Sequence, residues 1–207
     1  MKDLGWDTEN QNPFMPNLKT VKDVMKFQAA GGIGAIESRI EKAFSLRLVE
    51  LKAKINWLSS VAETDVRSKN LIITSILVDA RALLLEHERH KRNATLQNVY
   101  LARRLDDRAA AVDTELDREV FPGKTFRQVI KLWVDKRVVH MDWMWDEDEA
   151  SAFNDMERLI FNDGMNGLFG ILLRFIDDYE DVVDRFGLNV REQLDRVTAS
   201  MTGRNNE

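Results

Sequence analysis

Between residues 33 and 58, Ile33, Ile36, Ile40, Phe44, Leu48, Leu51, Ile55 and Leu58 recur at intervals of 3, 4, 4, 4, 3, 4 and 3. Only a helix returns one face at these intervals, because its 3.6-residue turn brings positions three and four apart to the same side. A continuous helix of about seven turns is predicted here. So long an apolar stripe must be covered, and the covering elements have to come from the rest of the chain. No segment sustains the apolar–polar alternation of a half-buried strand. Proline stands only at positions 13, 16 and 122, so long helices elsewhere are not interrupted by a missing backbone donor.

The remaining segments read as follows. Residues 1–17, with "NPFMPN" among them, form a polar arm, and 18–27 can make a short amphipathic helix. "AAGGIG" (29–34) ends it, glycine being costly inside a helix and cheap in a turn. A second long helix is predicted over 68–91, with Leu71, Ile72, Ser75, Val78, Ala82 and Leu85 on its buried side. "NATLQN" (93–98) is a break and restart, Thr95 being the N-cap of a helix expected to run to about residue 120. "FPGKT" (121–125) is a turn, and Thr125 can cap a helix carrying Phe126, Ile130, Trp133, Arg137 or Val138, Met141 and Met144 on one face. A last helix is predicted from about Ser151 to Phe186, with Leu168, Leu172, Phe175, Tyr179, Val182 and Phe186 in register. Gly164, Gly167 and Gly170 sit three apart inside it, where they can admit a neighbouring helix or a kink, and Gly187 suits its C-terminal end. The expected fold is all-α, an up-down bundle of four to five long helices. Residues 1–30 are the arm with its short helix, 31–190 the bundle and 191–207 a tail.

Several functional classes are excluded by what the chain lacks. There is no cysteine, hence no disulfide, thiolate nucleophile or thiolate metal site, which suits a reducing cytoplasm. No run of about 18 apolar residues offers a membrane span, and "MKDLGWDTENQNPF" has no apolar core of a secretory signal. The net charge of −5 argues against a general nucleic-acid coat, but it is unevenly placed. Residues 142–184 carry 13 acidic side chains against Arg158 and Arg174, whereas 81–108 hold seven Arg and Lys against four Asp and Glu. A basic surface able to meet RNA can therefore coexist with an acidic total.

Chemistry-bearing residues are few. His87 and His90, three apart beside Glu86 and Glu88, share a helical face as some metal sites require. The paired Glu-x-x-His pattern of bundle di-metal sites is missing, so no metal and no cofactor are expected. "GGIG" lacks the Lys-Ser/Thr of a phosphate loop, and no serine stands in a strained elbow. That leaves His140, within "WVDKRVVHMDW" (133–143). On an ideal helix Trp133 lies about 20° from His140, and Lys136 and Met144 each about 40°. His140 is thus expected to face inward or into a groove between Lys136 and Arg137. A histidine with a neighbouring cation can move a proton near neutral pH and hold a phosphate, which is what metal-free RNA transesterification needs.

"VDKRVVHMDW", on a late helix of a small helical chain, resembles the signature helix of the HEPN superfamily, in its branch near abortive-infection proteins. That branch tends to read Arg-Asn-Lys-x-x-Ala-His-x-Asp, against which Asp135, Lys136, His140 and Asp142 match. "LVDARALLLEHERHKRNATLQN" is similar to the preceding helix of such chains, and the resemblance covers roughly residues 70–185. It implies a homodimer and metal-independent RNA cleavage in phage defence or as a toxin, with His140 as acid/base, Lys136 or Arg137 as phosphate clamp and Asp135 as orienter. Val134, however, stands where the family has its arginine. The departure implies either a replacement cation or a non-catalytic member that binds a partner. In that case Trp143 and Trp145, beside the acidic "WDEDEASAFND", would be the contact surface.

Overall fold

The computed structural model describes residues 14–86, 93–139, 146–161 and 167–185. The chain is all-α, with one two-stranded hairpin among the described residues. It divides into two compact units, residues 1–159 and 160–207.

Phe14 is fully buried, so the described chain begins on an anchored residue. Helix α1 (Val21–Ala29) opens with a reciprocal cap: Asp23 N–H donates to Thr20 Oγ1 at 3.1 Å, and Thr20 N–H to Asp23 Oδ2 at 2.9 Å. It ends at Gly31, whose φ of 91° belongs to the left-handed region and where a Cβ would stand 2.9 Å from that of Ala35. Helix α2 (Gly32–Ser60) is the predicted long helix, burying Ile40, Phe44, Leu48 and Leu51, with the ends of the stripe partly covered.

Helix α3 (Val66–Leu84) starts where Ser68 N–H donates to the Asp65 carboxylate at 3.1 Å. Its buried face differs from the expectation. Ile72, Ile76, Leu77, Ala80, Leu83 and Leu84 are buried, whereas Leu71 is 64% and Val78 37% exposed. Apolar residues occur on most sides of this helix, so its neighbours decide which are covered. Those neighbours are α2, α4 (Leu96–Ala102), α6 (Phe126–Trp133) and a π-helix over Val134–Val139.

The predicted single helix over 96–120 is two, α4 and α5 (Asp106–Leu116). Thr95 caps α4 as expected, accepting from Asn98 N–H at 3.4 Å. The break falls at Arg104, whose φ of 61° no helix interior tolerates. Both arginines there are held by the long helix, Arg103 by Glu41 and Arg104 by Glu37. Asp106 and Asp107 then favour the positive end of the new helix.

"FPGKT" is the tip of a hairpin between β1 (Glu119–Phe121) and β2 (Lys124–Thr125), with Gly123 at φ 73°. Thr125 caps α6 reciprocally with Gln128. Where one final helix was predicted there are two, α7 (Asp146–Ile160) and α8 (Leu168–Arg185). Gly167 lies ahead of α8 and Gly170 within it, while Gly164, Phe186 and Gly187 lie outside the described residues. Leu168, Leu172, Phe175, Tyr179 and Val182 are buried on α8 as the periodicity predicts.

Candidate functional site

The motif stretch does not continue α6 as an α-helix. From Val134 to Val139 the backbone widens into a π-helix, a local form frequent at functional sites. A wider turn advances less than 100° per residue, so the angular placement of His140 on an ideal helix does not carry across it. Val134 is 1% exposed, and Asp135 and Lys136 are half-buried. Arg137 belongs to the π-helix by its backbone. Its side chain, and His140, Trp143 and Trp145 entirely, lie outside the described residues.

What the structure adds to the motif is Arg81. It follows buried Leu77 by one helical turn and precedes buried Leu84 by another, so its guanidinium lies against the covered face of α3. Its Nε stands 2.7 Å from Asp135 Oδ1, out of line for a hydrogen bond but well within ion-pair range. Its Nη1 donates to the Glu86 carboxylate. Glu86 in turn accepts from Asn93 Nδ2, at 3.2 Å on its backbone oxygen and 3.4 Å on Oε2. Asn98 Nδ2 then donates to Asn93 O at 2.9 Å. Asp135 is thereby joined to the start of α4 through a chain of polar contacts.

A second branch lies beside it. Gln97, fully buried, donates through Nε2 to Leu84 O at 2.8 Å, satisfying a carbonyl at the end of α3, and to Asp113 Oδ1 at 3.1 Å. Arg127 donates from Nη2 to Asp113 at 2.8 Å and from Nε to Asp117 at 2.7 Å. Burial opposes the charge on Arg127, but the hydrogen bonds and attraction of Asp117 and Asp113 outweigh it and raise its pKa above the ordinary arginine value. Thr95, Gln97 and Asn98, from "NATLQN", are all buried. The spacing of Arg81 from the leucines was the available signal for this network, but without the fold nothing linked it to Asp135.

On the other side of α6, a cavity of about 200 Å3 is lined by Lys124, Gln128, Val129, Leu132, Trp133, Ala152 and Asp155. Lys124 bridges to Asp155 at its edge, and Phe153 meets Trp133 edge-on with ring centres 4.8 Å apart. Arg158 lies over the Phe121 ring at 4.3 Å, so α7 is held to the hairpin as well.

Among the described residues no group of three or more His, Asp or Glu is placed to hold a metal ion; His87 and His90 lie outside them. No helix of the described residues is long and apolar enough to cross a membrane. Comparison with family models, curated proteins and solved structures returns no match.

Proposed function

We propose that this chain is a HEPN-like helical interaction module, a non-catalytic or weakly active dimer of a defence or toxin–antitoxin system. One observation supports this most directly: Asp135, the residue expected to orient a catalytic histidine, is an ion-pair partner of Arg81. Val134, at the position of the family's arginine, is packed into the core and presents no charge to a phosphate. Arg81 brings a guanidinium near the motif from another helix, but Glu86 and Asp135 both engage it. The motif helix thus serves to hold α3, α4 and the π-helix in register, and association falls to Trp143, Trp145 and the acidic residues around them.

Purified protein is expected to leave RNA intact with or without His140→Ala, while Trp143→Ala and Trp145→Ala weaken association. Cleavage that disappears with His140→Ala would instead establish a metal-independent endoribonuclease using His140 with Lys136 or Arg137. The π-helix favours that second reading, because a widened turn can re-aim one side chain out of a regular face.

A further inference from the structure

Helix α2 has two apolar faces, and only one is used. Leu46, Val49 and Trp57 are 60%, 66% and 60% exposed, and Ala53 is exposed between them. Their intervals of 3, 4 and 4 make a second stripe, which at 100° per residue lies about 180° from the buried one. The buried face rests on α3 and α4, so the second stripe looks away from the bundle core. A tryptophan so exposed is uncommon on a free surface and usual at an interface.

We infer that this face pairs with the same face of a second copy of the chain, the two α2 helices running antiparallel. In that register Leu46 meets the partner subunit's Trp57, and Val49 meets the partner subunit's Ala53, so large side chains lie against smaller ones. Charge points the same way. Glu37 and Glu41 are engaged by Arg104 and Arg103, which leaves Arg39 and Lys42 as exposed positive charges near the start of the helix. Glu63, just past the other end, is exposed and negative. An antiparallel pair sets Lys42 and Arg39 of each copy beside Glu63 of the other, twice by symmetry. A parallel pair would instead bring like charges together. The apolar stripe from Leu46 to Trp57 is about 17 Å long and one helix wide, small for an interface, so the association is expected in the micromolar range or weaker. This inference is independent of the function proposed above and uses a different surface from its tryptophans.

Sedimentation equilibrium of the full chain, from about 1 µM to about 1 mM, is expected to show a monomer–dimer equilibrium. Val49→Glu is expected to weaken it by about tenfold or more, with helicity by circular dichroism unchanged because Val49 is mostly exposed. Lys42→Glu and Glu63→Lys should each weaken it, and the two combined in one chain should restore it. A wild type that stays monomeric throughout overturns the inference, as does a dimer indifferent to Val49→Glu. Failure of the double exchange to restore association overturns the antiparallel arrangement.

Discussion

Arg81 carries more of the motif's architecture than any residue within the motif. Its side chain and that of Asp135 are 19% and 24% exposed, so the pair is sheltered enough for loss of one partner to be felt. Arg81→Met leaves Asp135 and Glu86 partly covered without their cation, and a loss of about 2 kcal/mol is expected in urea denaturation. A double-mutant cycle with Asp135→Asn should show coupling of roughly 1 kcal/mol; additive effects would mean that the contact is incidental. Little of this pairing was legible beforehand. Asp135 and Lys136 stand out in the sequence because of their neighbours at 134–142, whereas Arg81 is 54 positions away from Asp135 and looks like an ordinary helix charge.

At the scale of elements, the caps were the most readable feature. Thr95 and Thr125 both sit where a hydroxyl satisfies the first free N–H groups of a helix, and that need is local. Asp65 does the same for α3, and its hydrogen bonds with Ser68 lower its pKa against a small opposing effect of burial. A carboxylate with a depressed folded pKa stabilises fully above its unfolded value and loses that contribution as pH falls through the folded one. Asp65→Asn, which keeps the cap but not the titration, should therefore flatten part of the fall in melting temperature below about pH 4. An unchanged acid profile would remove Asp65 from the account. The helix breaks were harder to read. Arg104 adopts a left-handed conformation with no glycine to announce it, and it is paired with a glutamate 67 residues earlier.

At the scale of the whole molecule, the apolar residues left outside the core matter as much as those within it. If α2 pairs across its second stripe, folding and association are linked, and the melting temperature of the wild type should rise with protein concentration. The melting temperature of the Val49→Glu chain should rise less than that of the wild type over the same concentration series. A wild-type melting temperature constant over the same series would count against the linkage.

The intervals of apolar residues and the sparse prolines determined by themselves that the chain is helical, where α2 runs and where three of its helices are capped or punctuated. These properties depend on residues within a turn or two of one another. The covered face of α3, the break between α4 and α5, the π-helix at the motif and the partner of Asp135 were decided only by tertiary structure. Each depends on which distant side chain comes to lie alongside, and burial rewards whichever apolar or charged group the neighbouring helix meets.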